Sequence, residues 1–389
     1  MIHLFFNALA ASAGAGPTYV RNIIPEIAAR KDMCATIALP ACLRREFENI
    51  PNVTLLELEA SGAARRYWRE QMDLPGMIRN AAADVLVSTG NFALRKSPVP
   101  QILLSGNSLY VSQDFYRDVL SRGDYAAWVD TRIKAFFAKR SVQWADVTVA
   151  PSLSFAAALR EWTQHDVTSI YHGFNREMFF GETTPPAPEV QQKINAAEGA
   201  LKLLFVSHYN YYRNFETLLR AIPLIREQLH GRKVKLLLTC KLSSGQNPGS
   251  YRAETASALV RSLDIGEEVV ELGTVPYRQL HHIYRSSDIY VTPAYTETFA
   301  HPLVEAMASG LPIVASDIPV HREICSRSAL FFDRFSPARL ADQISKIAFS
   351  QHLGQQLQAF GERRAADISW KEHVDKIVGV AKTLCAKSD

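Results

Sequence analysis

The stretch Ile289-Tyr-Val-Thr-Pro-Ala-Tyr-Thr-Glu-Thr-Phe-Ala-His-Pro-Leu-Val-Glu-Ala-Met-Ala-Ser-Gly-Leu-Pro-Ile-Val-Ala315 contains a complete strand, loop, helix and strand. Residues 288–294 read as a buried strand, Pro302 suits the first position of a helix, and Gly310 is expected to end that helix. Residues 313–315 then read as the next strand, parallel to the first. This pattern predicts an open α/β fold built on parallel sheets.

Two acids, Glu297 and Glu305, stand eight residues apart in this stretch. Glu297 follows the first strand, and Glu305 is expected in the first turn of the helix, where a carboxylate complements the positive helix end. Open α/β folds bind ligands at the carboxyl ends of their strands, and helix starts there supply unpaired N–H groups. The pattern therefore suits a polyhydroxy group attached to a phosphate, although capping by two ordinary acids explains the spacing alone.

Strand-like runs alternate with helical patterns along the whole chain, which predicts parallel sheets covered by helices on both faces. In the first half the predicted strands are residues 2–6, 35–39, 53–58, 85–88, 101–104, 147–150 and 168–171. In the second half they are residues 202–206, 234–239, 269–272, 289–292, 313–315 and 329–332. Two such series predict two doubly wound domains.

The bulk composition is that of an ordinary globular enzyme. The 389 residues allow two domains, and 47% are hydrophobic and 21% charged. A net charge of +4 is compatible with phosphates or a lipid surface but too small to argue for nucleic acid. The five cysteines show no metal-type spacing and are expected to be reduced. No run reaches the ~18 apolar residues of a bilayer span, and the apolar start lacks the basic segment of a secretion signal, so a cytoplasmic protein is expected.

Residues 290–317 strongly resemble the donor-binding segment of glycosyltransferase family 4, and the likeness continues through Arg322, Glu323 and the strand at 329–332. Members of this family are retaining enzymes that use nucleotide sugars. They have the GT-B fold, in which two doubly wound, Rossmann-like α/β domains face each other across a cleft. The resemblance implies an acceptor-side domain at 1–172, completed by a C-terminal helix at 371–389, and a donor-binding domain at 173–370.

A nucleotide-sugar donor needs protein partners for its diphosphate, ribose, base and sugar. The resemblance implies that Glu305 holds the ribose and that Glu297 lies beside the transferred sugar. The other implied donor-binding positions near these acids are Phe299, Ala300, His301, Leu303 and Val304. The family usually has glycine where Ala300 stands, so either the loop avoids positive φ or it is altered here.

For the diphosphate, the resemblance implies His208 and Arg213, in the loop after the strand at 202–206. The family usually has an arginine followed by a lysine at these positions, so this chain departs from the pattern. Arg213 keeps a permanent charge and a bidentate fork, whereas His208 is only partly charged at neutral pH. Main-chain groups around Thr274 and Val275 are implied to read the base.

The first domain supplies fewer candidates. Gly14 and Gly16 follow the first strand and allow the backbone to approach a phosphate or sugar closely, although a plain tight turn also explains them. Family members often carry a histidine against the donor sugar where this chain has Asn107, which can hydrogen-bond but cannot titrate as histidine does. His172 is an alternative ligand, with a satisfied loop histidine as the simpler interpretation.

The predicted function is retaining transfer of a sugar from a UDP-, GDP- or ADP-sugar to a hydroxyl of a glycan, lipid-linked or small-molecule acceptor. Glu297, Arg213 and Asn107 are the candidate catalytic residues. No metal cofactor is expected, because no D-x-D-type cluster stands at a suitable strand end. Two alternatives stay open: a nucleotide-sugar epimerase on the same scaffold, and a catalytically impaired nucleotide-sugar-binding protein, suggested by the departures at His208, Ala300 and Asn107.

Residues 115–140 mix aromatic with basic side chains. The ordinary interpretation is a half-buried helix whose cations extend their charged ends into solvent. The alternative is a face that lies on an anionic bilayer, which would make the protein peripheral on the inner side of a membrane.

Overall fold

The computed structural model describes residues 1–11, 15–48, 50–58, 62–243, 245–247, 249 and 251–387. Gly14, one of the two predicted glycines of the first loop, lies outside the described residues. The strands, in chain order, are β1 (Ile2–Asn7), β2 (Met33–Leu39), β3 (Val53–Glu57), β4 (Val85–Ser88), β5 (Gln101–Leu104), β6 (Val147–Ala150), β7 (Thr168–Ser169), β8 (Leu201–Phe205), β9 (Val234–Leu238), β10 (Val269–Glu271), β11 (Ile289–Thr292), β12 (Ile313–Ser316) and β13 (Ala329–Phe332).

The helices alternate with these strands. They are α1 (Ala15–Ala28), α2 (Ala41–Arg44), α3 (Ala63–Asn80), α4 (Gln113–Ser121), α5 (Tyr125–Trp144), α6 (Leu153–Thr163), α7 (Arg176–Phe180), α8 (Pro188–Asn195), α9 (Phe215–Gln228), α10 (Glu254–Ser262), α11 (Leu280–Arg285), α12 (His301–Ala308), α13 (Pro319–Cys325), α14 (Pro337–Phe349), α15 (Gln351–Ala366) and α16 (Trp370–Cys385). Among the described residues, no helix has both the length and the apolar character that a membrane span requires.

The chain forms two compact units. The first consists of residues 1–112, 124–173 and 369–389, and the second of residues 113–123 and 174–368. Each unit is built on one parallel sheet with helices packed against it, as predicted, so the α/β fold class is confirmed.

The first unit has a seven-stranded sheet in the order β3-β2-β1-β4-β5-β6-β7. The paired strands among its described residues are parallel, and the apolar runs of the inner strands are buried on both faces. Helix α16 belongs to this unit: its Trp370, Val374 and Ile377 join the core that includes α1. A Cβ on Gly173 would come within 2.0 Å of the Trp370 backbone nitrogen, so only glycine fits where α16 begins.

The second unit has a six-stranded sheet in the order β10-β9-β8-β11-β12-β13. Strands β8 and β11 are neighbours in space but are separated in the chain by two other strands, so the strand order reverses between them. A reversal of this kind opens a crevice at the carboxyl ends of the two strands, where open α/β sheets bind ligands. The loops after β8 and β11 are therefore the expected ligand-binding region of this unit.

Residues 113–123 depart from the predicted division, which assigned them to the first domain. In the structure they form α4 and its following turn and belong to the second unit. The single helix expected over 115–140 is likewise interrupted, because Gly123 adopts a φ of 63° between α4 and α5. Asp118 of α4 and Arg122, which follows the helix, both bond to distant residues of the second unit, as described below.

Candidate functional site

Two loops at the carboxyl ends of β8 and β11 form the candidate site of the second unit. The Tyr295 N–H donates to the Tyr212 carbonyl at 3.0 Å, which joins the loop after β11 to the loop after β8. Asn214 adds a second connection: its side-chain amide donates to the carbonyls of Pro293, at 3.1 Å, and Arg334, at 2.7 Å. The two loops are thus held together by main-chain acceptors and one buried amide.

Arg213 ends a short 3₁₀ turn, Tyr211–Arg213, that Asn210 caps. The Asn210 side-chain oxygen accepts from the Arg213 N–H at 3.1 Å. Asn214 then adopts a left-handed conformation, with a φ of 55°, and α9 begins at the next residue. Asparagine tolerates this backbone region better than most residues, so the sequence at 210–214 fixes where Arg213 points.

Arg213 and Glu297, both predicted from the sequence, form an ion pair in the structure. Their side chains are 18% and 9% exposed, so the two charges neutralise each other in a largely dry environment. Within the described part of the chain, Arg213 Nε is buried and has no hydrogen-bond partner. A buried guanidinium N–H of this kind can donate to an anion.

Glu305 is more deeply buried than its predicted role requires. It is 5% exposed, and the Tyr284 hydroxyl donates to Glu305 Oε2 at 2.8 Å. Burial raises the pKa of the Glu305 carboxyl to about 7, and the Tyr284 hydrogen bond opposes that rise. Because α12 begins at His301, Glu305 lies just after the first turn, which contains no acid, and not within it as expected.

Ala300 immediately precedes α12 and has a φ of 62° and a ψ of 63°. The expected alternative of a loop that avoids positive φ is therefore wrong: the alanine adopts the left-handed backbone that glycine usually supplies. The Ala300 carbonyl accepts from the Leu303 N–H at 2.9 Å. A non-glycine residue in this backbone region carries some strain.

Replacing Ala300 with glycine is expected to stabilise the second unit by about 0.5–1 kcal/mol, because the strained Cβ is removed from a left-handed position. Urea denaturation would measure the change. Ala306→Gly is the matched control: it lies inside the same helix, so glycine there is expected to destabilise by about 1 kcal/mol or more. A destabilising effect at position 300 as large as that at position 306 would contradict the strain argument.

The other predicted donor positions in this segment divide by burial. Phe299, Leu303 and Val304 are 1%, 1% and 0% exposed, so their side chains belong to the core. The Leu303 N–H is bonded to the Ala300 carbonyl. His301 is partly exposed, and its ring lies 5.0 Å from that of Phe299.

His208 lies exposed in the loop after β8. Partial burial of its ring and the charge of Arg213 both lower the pKa of His208 below its ordinary value. The imidazole is therefore neutral at pH 7, and the predicted role of a second phosphate-binding cation is not supported. It remains able to donate a hydrogen bond as a neutral group.

The predicted base-reading residues follow β10, at the edge of the sheet. Thr274 is exposed and Val275 is 9% exposed. Strands β9 and β8 stand between β10 and β11, so sheet order alone does not bring this loop to the two acids. The connection is made by α11, which follows the loop and carries Tyr284, the hydrogen-bond partner of Glu305.

The candidates in the first unit have local structural partners. The Asn107 side-chain oxygen accepts from the Leu109 N–H at 3.1 Å and so caps a short turn. A Cβ on Gly16 would come within 2.8 Å of the Ala11 Cα, so the glycine is required for close packing after β1. The His172 ring stacks on Trp370 at 5.4 Å, which favours the structural interpretation of that histidine.

His321 is a candidate that the sequence analysis missed. It is fully buried near the carboxyl end of β12, and its Nδ1 lies 3.0 Å from the Ser316 carbonyl, to which it donates. Burial lowers the pKa of His321 to about 4, so the ring is neutral and Nε2 is an acceptor. No partner for Nε2 is found among the residues that the structure describes. The sequence signal that could have identified His321 is its position shortly after a buried strand, which neighbours the strand that leads to Glu297.

Helix α4 braces both loops, which the sequence also did not reveal. Arg122 pairs with Asp118 at 2.7 Å and with Glu216 at 2.8 Å. The Tyr209 hydroxyl, in the loop after β8, donates to Glu216 at 2.9 Å, and the Tyr295 hydroxyl, in the loop after β11, donates to Asp118 at 2.8 Å. Arg122, which is only partly exposed, thus organises two carboxylates and, through them, the two loops that carry Arg213 and Glu297.

The electrostatics of this network follow from Arg122. Burial alone would raise the pKa of Glu216, but the hydrogen bond and charge of Arg122 outweigh it and hold that pKa below its ordinary value.

Among the described residues, no group of three or more histidine, cysteine or acidic side chains is arranged to hold a metal ion.

The chain is similar to known proteins in sequence and in fold. Residues 187–364 match the model of the family described as glycosyl transferases group 1. A D-inositol 3-phosphate glycosyltransferase of Corynebacterium diphtheriae is 24% identical over 217 residues, which cover 55% of this chain and 50% of that protein. The chain therefore spans about half the length of the curated relatives that it matches.

Two solved structures share the fold over almost the whole chain. Sucrose-phosphate synthase from Thermosynechococcus elongatus is 18% identical with a TM-score of 0.77, and the match covers 100% of both chains. The Anabaena protein HepE in complex with UDP-glucose is 14% identical with a TM-score of 0.70, and the match covers 98% of this chain and 100% of HepE. These likenesses show that the chain has the GT-B fold, and residues 187–364 are similar to the family of glycosyl transferases group 1.

Proposed function

We propose that the protein is a retaining glycosyltransferase that moves a sugar from a nucleotide diphosphate sugar to an acceptor hydroxyl without a metal ion. The observation that carries this proposal is the pairing of Arg213 with Glu297 where β8 and β11 end side by side. A cation with an unused buried donor, next to a carboxylate and the start of α12, suits a diphosphate linked to a sugar.

Each part of the donor would have its own protein partners in this site. Arg213 and the N–H groups at the start of α12 would bind the diphosphate, with neutral His208 as a further hydrogen-bond donor. Glu305 would accept the ribose hydroxyls, and Glu297 would contact the transferred sugar. The unpartnered Nε2 of His321 suits a hydroxyl of the donor, because it is an acceptor without a proton.

The chemical step would exchange one bond for another on the same face of the sugar. The acceptor oxygen bonds to the anomeric carbon as the bond from that carbon to the phosphate oxygen breaks. The acceptor proton passes to the departing phosphate, so no protein nucleophile is required. Arg213 would stabilise the charge that develops on the phosphate, and Glu297 the positive charge on the sugar ring.

The donor and acceptor classes can be narrowed by experiment. HepE was solved with UDP-glucose, which makes that compound the first donor to test. The names of D-inositol 3-phosphate glycosyltransferase and sucrose-phosphate synthase favour phosphorylated sugars and polyols in the first acceptor panel. Glycans and lipid-linked acceptors complete that panel.

Thermal-shift screening against UDP, GDP, ADP and their sugar conjugates, with and without EDTA, tests donor binding. Turnover in EDTA and an unchanged anomeric configuration, read by NMR, are expected. Consumption of the donor alone to an epimer would indicate an epimerase instead. Donor binding with neither transfer nor slow donor hydrolysis would indicate an impaired binding protein.

Alanine substitutions of the two glutamates are expected to affect different steps, binding in one case and turnover in the other. Glu305→Ala should weaken nucleotide binding, because the ribose loses its acceptor, by about 1–3 kcal/mol. Glu297→Ala should mainly lower kcat, because its contact matters most in the transition state. Isothermal titration and steady-state kinetics separate the two effects. Equal and negligible effects from both substitutions would defeat the site assignment.

Donor affinity is expected to depend on pH through Glu305. The folded protein holds this proton up to about pH 7, whereas the unfolded chain releases it near 4.5, so the contribution of Glu305 to stability falls as pH rises between these values. The ionised carboxylate is the better acceptor for two hydroxyls, so affinity should fall as pH decreases below 7, by up to about tenfold per unit.

UDP-glucose is the ligand for this measurement, because each of its phosphates carries one ester and one anhydride bond and lacks the ionisation near pH 6 that a terminal phosphate has. Glu305→Gln supplies the control, since the amide cannot titrate. An identical pH profile in the wild type and the Glu305→Gln variant would rule out Glu305 as the titrating group.

A further inference from the structure

Helix α5 of the first unit is apolar on two faces. One face packs into the unit through Thr131, Ala135, Ala138 and Val142. The other face presents Tyr125, Val129, Ile133 and Phe136 to solvent, with exposed fractions of 66%, 48%, 54% and 58%. These four residues recur at intervals of four, four and three, so they form one continuous stripe along three turns.

Cations accompany this stripe. Arg132 and Arg140 are exposed on the same side of the helix, and the Arg140 guanidinium lies 5.6 Å from the centre of the Phe136 ring. Over its whole length α5 carries four cations and one acid, a net charge of +3. An exposed apolar stripe flanked by arginines is unusual for a surface that faces only water.

A neighbouring helix contributes similar side chains. Tyr67 of α3 lies 5.4 Å from Phe137 of α5, so the two helices are in contact. On α3, Trp68 and Met72 are one turn apart and 66% and 61% exposed, and Arg65 is exposed beside them. The first unit therefore exposes large apolar side chains with adjacent arginines on two adjacent helices.

We propose that the exposed stripe of α5, defined by Tyr125, Val129, Ile133 and Phe136, docks the protein on an anionic lipid bilayer. The apolar side chains match the boundary between head groups and acyl chains, and the arginines match the phosphates above it. This charge complementarity is the reason to assign a bilayer to the surface. The inference goes beyond the proposed function and does not depend on it.

Vesicle flotation with the full-length protein tests the proposal. Vesicles of phosphatidylcholine mixed with phosphatidylglycerol should bind the protein, and vesicles of phosphatidylcholine alone should bind it much more weakly. Ile133→Ser with Phe136→Ser should lower the partition coefficient on the order of tenfold or more. Arg132→Glu with Arg140→Glu should lower it at least about 25-fold, since each cation contributes about fivefold near an anionic surface.

Phe349→Ser is the matched control, because Phe349 is 62% exposed on α14 of the second unit. It should leave vesicle binding unchanged, and all the variants should keep the wild-type melting temperature. The proposal is overturned by absence of wild-type binding to the anionic vesicles, or by equal losses in the Phe349 and α5 variants. A concentration-dependent dimer that the α5 substitutions dissociate, without any vesicle binding, would instead assign the stripe to a second copy of the chain.

Discussion

Arg122→Met is expected to destabilise the second unit by about 3–5 kcal/mol, the largest stability change predicted for a single substitution in this protein. Arg122, Asp118 and Glu216 are only 18%, 19% and 9% exposed, so removal of the arginine leaves two carboxylates without a counter-ion in a poorly solvated place. Urea denaturation, followed by the fluorescence of the intact protein, measures the loss. Weaker donor binding should accompany it, because Tyr209 and Tyr295 lose the carboxylates that hold them.

A matched control and a rescue distinguish this explanation from a general loss of packing. Arg322→Met removes an exposed arginine paired with Asp317, a pair that is 57% and 40% exposed, and should cost less than about 1 kcal/mol. Adding Glu216→Gln to Arg122→Met should restore part of the stability, since one uncompensated charge is removed. A double variant no more stable than Arg122→Met alone would contradict the electrostatic account.

Arg213→Ala is expected to lower kcat/KM by about 10²–10³, the typical effect of removing one group that stabilises developing charge. Arg213→Lys should be intermediate, because lysine keeps the charge and loses the bidentate fork. Steady-state kinetics with the donor found by thermal-shift screening measure both. Some loss of stability is also expected, since Glu297 would remain largely buried without its partner.

Two comparisons make the Arg213 result specific. Arg220→Ala removes an exposed arginine from α9, the helix that follows Arg213, and should leave turnover unchanged. Arg213→Ala combined with Glu297→Gln should regain stability without regaining activity. Recovery of activity in that double variant would mean that Arg213 serves only to neutralise Glu297.

The sequence predicted the α/β architecture well because parallel strands buried on both faces leave an apolar run that needs no distant information. Glu297 and Arg213 were singled out through the resemblance to the family, and each follows such a run at the carboxyl end of its strand. Their direct pairing could not be predicted, because it depends on side-chain directions set by the Asn210 cap and the left-handed Asn214.

What the sequence could not predict depends on contacts between distant residues. The assignment of α4 to the second unit rests on Arg122 and Glu216, which are 94 positions apart. The burial of Glu305 rests on Tyr284, 21 positions away and on another helix. Local periodicity reports which face of a helix is apolar, but it does not report which unit covers that face.

The interleaved course of the chain has a consequence for its synthesis. When the ribosome has made residues 1–170, the apolar surface of α1 still lacks Trp370, Val374 and Ile377, which are translated much later. Helix α4 likewise emerges long before Glu216 and Tyr295, its later partners. We therefore expect the first unit to mature only after residues 369–389 have left the ribosome, and we expect chaperones that shield apolar surface to raise the yield of native protein.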